Sequence, residues 1–413
     1  MRRFCLLFLG LLALLPATAA AQDEALMVKR LTSQMRFAGA YSGAYVVDVS
    51  GDKPRPIFRW RPHTARILAS NTKLFTTTAA LALYGREGTL GTEVLGNGEL
   101  DPEGVYRGSL YLRGGGDPTF GSRRFTRRAY GGGATVQDLA LLLDQAGIQH
   151  VTGRVYGDES AFDSLRGPPS AGYRTTNDVG PLSALTFNRG RTGARRPYWQ
   201  KRPPLFAARA FERALERRDV VIGAPARTGS SQAAALPLAE QPSAPMAEIA
   251  RVTNRPSDNF NAETLIKALG KEFGGGGTTR AGAAVVRRTM AGFGLRPRVA
   301  DGSGLSRANR TSPRQVVRLL QQMAGETAGP AFETSLAVAG RNGTLDNRMR
   351  RSPARDRCHA KTGTLNSVSA LAGYCQSTAG ARVAFAFLMN RVNIYGARAL
   401  QDRMAAALAR YSP

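Results

Sequence analysis

The chain has 413 residues, 43% of them hydrophobic, and a formal net charge of +27. The length allows two or three domains with ample core, and the composition is that of a globular protein. The charge points to polyanions. An anionic cell wall or membrane surface is the expected partner. No zinc pattern or aromatic-basic RNA motif accompanies the charge, so nucleic acid is not expected; the alternative is an arginine excess spread over solvated faces.

Residues 1–21 read as a signal peptide. Arg2 and Arg3 precede the apolar run Phe4–Leu15, and Ala17–Ala21 offer small-residue cleavage sites. The run falls short of the ~20 apolar residues needed to span a bilayer; an uncleaved anchor is the alternative. The reading implies export to the periplasm or cell-wall space, soluble or peripherally associated. Removing the signal takes Cys5 with it and leaves Cys358 and Cys375. In an oxidising compartment such a pair suggests one cross-strand disulfide, with two buried thiols as the alternative.

The first predicted element is an amphipathic helix over Asp23–Arg36. Gly43–Gly51, a turn at Asp52-Lys53-Pro54 and Arg55–Trp60 then read as a β-hairpin. A helix starts near Ser70 and stops at Gly85. From about Gly91 to Pro242 the character changes to short strands among Gly-rich turns, with a helix at Val136–Gly147. Helical patterns resume near Met246. Alternating strands follow in "SVSALAGYCQ" and "RVAFAFLMNR", and a helix over Tyr395–Tyr411 closes the chain. The whole reads as one domain of mixed α and β structure split by a long insertion.

The basic residues divide into seven lysines and fifty arginines. A guanidinium cannot lose its proton in a protein, whereas a desolvated ammonium can. Lysines placed against that bias are therefore candidates for acid–base work. Lys73 follows Ser70 by three residues on the predicted helix, so a hydroxyl nucleophile and an amine share one face. Ser257-Asp258-Asn259 lies where a loop opens a helix, supplying a second hydroxyl and a carboxamide. Lys361-Thr362-Gly363-Thr364 lies on the first strand of the late hairpin. There Lys361 gives fixed positive charge, Gly363 lets the substrate approach closely, and Thr362 and Thr364 offer hydroxyls. The three histidines, His63, His150 and His359, are scattered and form no zinc motif. No metal or cofactor is expected. Asp158 and Asp163, within the insertion, are either turn caps or readers of a cationic substrate group.

Ser-x-x-Lys, Ser-Asp-Asn and Lys-Thr-Gly, in this order, are the motif set of class A β-lactamases and penicillin-binding proteins. Together with "LYLRGGGDPTF", "VGPLSALTFNRG", "DGSGLSR" and "AGRNGTLDNRM" they make the chain similar to the D-alanyl-D-alanine carboxypeptidase/endopeptidases, the class C low-molecular-mass penicillin-binding proteins of peptidase family S13. The resemblance implies an α+β, β-lactamase/transpeptidase-like domain, a five-stranded antiparallel sheet with flanking helices. Residues 23–92 and 243–413 would form it, and residues 93–242 would be inserted, mostly β in character. It implies peptidoglycan stem peptides ending in D-Ala-D-Ala as substrate and β-lactams as covalent inhibitors. Ser70 would be the nucleophile and Lys73 its base, with the pKa of Lys73 lowered by repulsion from Lys361. Ser257 would relay the proton and Asn259 orient the substrate amide. Lys361, Thr362 and Thr364 would hold the terminal carboxylate. A serine β-lactamase is the rival enzyme. It is disfavoured because the window Val285–Ala300 lacks the acidic residue needed to drive water onto an acyl-enzyme. A non-catalytic basic wall-binding protein is the rival from another class.

Overall fold

A computed structural model describes residues 15–193 and 198–413, and side chains from Gln22 onward. Most of the predicted signal peptide, including Cys5, lies outside the described residues.

The strand Arg382–Asn390 is the centre of the first sheet. Its sequence, RVAFAFLMN, is apolar almost throughout, as a strand buried on both faces must be. Val383, Phe385, Phe387 and Met389 face one core, and Ala384, Ala386 and Leu388 face the other. The sheet order is Ala337–Val338, Cys358–Leu365, Val368–Gln376, Arg382–Asn390, Ser42–Asp48, Arg55–Trp60, antiparallel throughout. Five long strands thus form the expected sheet, and a two-residue strand extends one edge. Both predicted hairpins are present, with Cys358 directly opposite Cys375 and the two sulfurs joined.

One face of this sheet packs against the N-terminal helix (Leu15–Phe37) and the C-terminal helix (Ile394–Leu408). The other packs against helices that include Thr72–Tyr84, Asn259–Phe273 and Pro313–Gly325. The nucleophile helix ends as expected at Gly85, whose φ of 74° favours glycine.

A second sheet of seven strands lies wholly within residues 91–242. Val105–Arg107 and Leu110–Gly114 belong to it, but each pairs in parallel with His150–Asp158 instead of forming a hairpin. Helices Arg123–Tyr130, Val136–Gln145 and Pro203–Glu216 accompany this sheet. The first and third were not anticipated, because their sequences are dense in arginine or open on paired prolines. Two ion pairs tie this part to the helix Asn259–Phe273 and its cap, Asp163 with Lys267 and Arg189 with Asp258. Asp163 is therefore engaged within the fold. Asp158 is as well, accepting from the backbone of Ser160 and Ser231 at 2.8 and 2.7 Å.

Candidate active site

Ser70 lies in a short 3-10 turn, Ala69–Asn71, which leads directly into the helix Thr72–Tyr84. The turn, not a full helix, places it beside Lys73. The residue before it, Ala69, has φ +46°, a left-handed conformation that an L-residue adopts at a cost. The neighbouring backbone holds it there. Gly304 packs so closely that a Cβ would come within 1.9 Å of the Ala69 carbonyl oxygen. Gly363 is also close to this turn, where a Cβ would lie 2.7 Å from the Leu68 carbonyl oxygen and 3.1 Å from the Ser70 nitrogen. The strand Cys358–Leu365 therefore runs hard against the nucleophile's own amide.

Lys73 is fully buried. Its Nζ donates to Ser70 Oγ at 3.1 Å, to Asn259 Oδ1 at 2.7 Å and to the carbonyl of Ser303 at 2.7 Å. Burial pulls its pKa from 10.5 down to about 8, against the opposing pull of Glu263, Asp258 and Asp301. At pH 7 roughly one such amine in ten is neutral, against about one in three thousand at the ordinary value.

Asn259 is the first residue of the helix Asn259–Phe273, and Asp258 caps it by accepting from the Asn261 N–H at 2.9 Å. Ser257, just before the cap, has φ +64° and is half-buried. Among the described residues its hydroxyl has no hydrogen-bond partner, so it is free to face a substrate.

Lys361 is also fully buried, and its Nζ donates to the carbonyl of Thr362 at 2.9 Å. Thr362 Oγ1 donates to Thr344 Oγ1 at 2.7 Å, and Thr364 Oγ1 accepts from Arg398 at 3.1 Å. Burial first, and repulsion from Lys73 second, push the Lys361 pKa well below its ordinary value. Burial leads the shift at both lysines, while three carboxyl groups, those of Glu263, Asp258 and Asp301, favour the charged form of Lys73.

Glu263 and Asp301 were missed in the sequence. Glu263 follows Asn259 by one helical turn, is fully buried, and accepts from the Ser303 N–H at 2.8 Å. Its second oxygen has no partner. Asp301 accepts from the backbone of Gly304 and Ser306 and from Asn309. Burial raises the pKa of both carboxyls. The loop Asp301–Ser306 supplies the Ser303 carbonyl that holds Lys73. The signal available was the i, i+4 spacing of Asn259 and Glu263 on one helix. His359 lies 3.9 Å from Glu333.

The model of the D-Ala-D-Ala carboxypeptidase 3 (S13) family matches residues 25–202 and 198–411. The chain belongs to this family. An S13 chain is a serine-type hydrolase, the class that the three motifs led us to expect. The D-alanyl-D-alanine carboxypeptidase of Actinomadura sp. (strain R39) is 29% identical, over 91% of this chain and 82% of the relative. Carboxypeptidase DacB of Mycolicibacterium smegmatis is 31% identical, over 82% of this chain and 74% of the relative. The crystal structure of penicillin binding protein 4 (dacB) from Haemophilus influenzae superposes with a TM-score of 0.76 at 20% identity, covering 93% of this S13 chain and 99% of that one. At that identity the likeness speaks for the fold, a penicillin-binding-protein fold across nearly the whole length.

Proposed function

We propose that this S13 enzyme removes or cleaves at D-Ala in peptidoglycan stem peptides by acyl transfer through Ser70, and that β-lactams acylate the same hydroxyl. The observation that carries the reading is the contact of Lys73 with Ser70 and Asn259 in a fully buried site. Neutral Lys73 takes the proton of Ser70, whose oxygen attacks the carbonyl of the penultimate D-Ala. The backbone N–H groups of Ser70 and Thr364 receive the oxyanion, an interaction worth roughly 3–4 kcal/mol per donor elsewhere. The Ser257 hydroxyl passes the proton to the leaving amine. Asn259 holds Lys73 and the substrate amide. The terminal carboxylate favours the charged form of Lys361, with Thr362 and Thr364 beside it and Gly363 leaving room. Water then frees Ser70. Carboxypeptidase and endopeptidase action differ only in what lies beyond the scissile bond.

We take residues 23–92 and 243–413 as the catalytic unit and 93–242 as inserted, a division supported by the two separate sheets. Among the described residues no helix is long and apolar enough to cross a membrane. Export to the periplasm or cell-wall space is inferred from the N-terminal sequence, and an anionic wall or membrane surface from the net charge of +27.

The test is intact mass against time after adding benzylpenicillin, with the adduct mapped by digestion. A persistent adduct on Ser70 is expected. Rapid recovery of free enzyme with consumption of the drug would make the chain a β-lactamase. No adduct and no consumption would leave a non-catalytic basic wall-binding protein.

A further inference from the structure

Three aromatic side chains that a soluble surface would normally cover stand open at one end of the molecule. Phe37 is 78% exposed, Tyr395 80% and Tyr41 47%. Phe37 ends the N-terminal helix, and Tyr395 lies in the first turn of the C-terminal helix. The two helices pack together there around a shallow hollow of about 520 Å³ lined by Phe37, Gly39, Arg391, Asn393, Leu400 and Arg403. Tyr41 joins the same surface, because the Arg391 guanidinium sits 3.9 Å from its ring centroid.

The charge around these rings has one sign. Arg61 donates to the Gly39 carbonyl at 3.2 Å and Arg66 to the Ala40 carbonyl at 3.4 Å, which brings both to the Phe37–Tyr41 loop. Arg403 reaches Gln34 at 2.7 Å. With Arg36 and Arg391 these make five arginines, and none of them pairs with a carboxylate among the described residues. Residues 34–42, 60–67 and 390–401 contain no Asp or Glu. Asp402, the nearest acid on the C-terminal helix, is bound to Arg348 at 2.6 Å.

The geometry points to this end as a docking surface for the headgroup layer of an anionic lipid bilayer. Aromatic rings favour the depth where headgroups meet acyl chains, and unpaired arginines gain from a negative surface potential. The inference sharpens the anionic-surface reading above and rests on export, not on the acyl-transfer chemistry. It also has a consequence for the site. Arg398, on the helix that carries Tyr395, donates to Thr364 at 3.1 Å. The docking helix and the substrate-side strand are thus joined by one side chain.

The test uses the exported chain, its N-terminus read by mass, in flotation with vesicles of phosphatidylcholine alone and of phosphatidylcholine mixed with phosphatidylglycerol. Binding to the mixed vesicles at low salt is expected, with a loss of about tenfold or more in Phe37→Ser/Tyr395→Ser and a further loss at high salt. The variant's penicillin adduct, unchanged in rate, shows that its fold is intact. Several outcomes overturn the inference: no binding to anionic vesicles, equal binding by the variant, retention only on purified peptidoglycan, or a self-association that the variant abolishes. A wild-type chain that binds vesicles but takes no penicillin removes the proposed function and leaves this surface standing.

Discussion

Lys73 Nζ lies 3.1 Å from Ser70 Oγ while Asn259 and the Ser303 carbonyl hold it from two other sides. A base fixed by three acceptors cannot turn away from its nucleophile, and its three hydrogen bonds match the three donors of an ammonium. Lys73→Arg keeps a cation but loses the titratable proton. We expect its acylation rate by benzylpenicillin to fall ~10²–10⁴-fold, the range for loss of a positioned general base. Because a guanidinium must fit a fully buried space, Lys73→Met is measured alongside, with melting temperatures for both. Acylation at the wild-type rate in either folded variant would remove Lys73 as the base.

The pH dependence follows from the direction of the Lys73 shift. The working form is the neutral amine, so the acylation rate should rise with pH and reach half its maximum near the value of about 8. Below it, each unit costs about tenfold. Glu263, whose own pKa burial raises to about 8, opposes this shift once ionised, since its charge favours the ammonium. Glu263→Gln should therefore move the rising limb to lower pH, while the amide keeps an acceptor for the Ser303 N–H. Second-order acylation rates from pH 6 to 9 read both effects. A rate that drops with the limb unmoved would show that Glu263 matters only for packing, and a limb that moves up would overturn its electrostatic role.

Ser257 carries two properties that one substitution would confuse, a hydroxyl and a φ of +64°. Ser257→Ala removes the hydroxyl and keeps the strain, whereas Ser257→Gly removes both. If the hydroxyl relays the proton, both variants should lose ~10²-fold or more in turnover of a D-Ala-D-Ala peptide, and the Gly variant should be no less stable than wild type. Activity in the Gly variant near that of wild type would assign Ser257 to the backbone turn alone.

The motifs were legible because each is local. Ser70 and Lys73 share one turn, Asn259 opens a helix at its Asp258 cap, and Lys361 to Thr364 occupy one strand. The lysine bias was a usable signal too, since Lys73, Lys267 and Lys361 are all fully buried in a chain that otherwise prefers arginine. The missing parts depend on distance. Burial is what lowers the Lys361 pKa, and the contact of Arg189 with Asp258 joins residues far apart in the chain. The left-handed Ala69 packs against Gly304, which no local pattern in "ILASNTK" announces.

The disulfide separates stability from catalysis. Cys358 and Cys375 are buried cross-strand partners, 17 residues apart, at the end of the hairpin whose strand carries Lys361. Closing a loop of that length restricts the unfolded chain by about 3 kcal/mol. Cys358→Ala/Cys375→Ala should therefore lower the free energy of urea unfolding by about that amount. The register of the Lys361 strand does not depend on the sulfurs, because eight residue pairs from Cys358–Cys375 to Leu365–Val368 define it. Acylation by benzylpenicillin should accordingly stay within about twofold of wild type, well inside the effect of losing one active-site donor. If acylation collapses while the unfolding midpoint holds, the disulfide positions the strand against Ser70, and its role is catalytic alignment instead of stability.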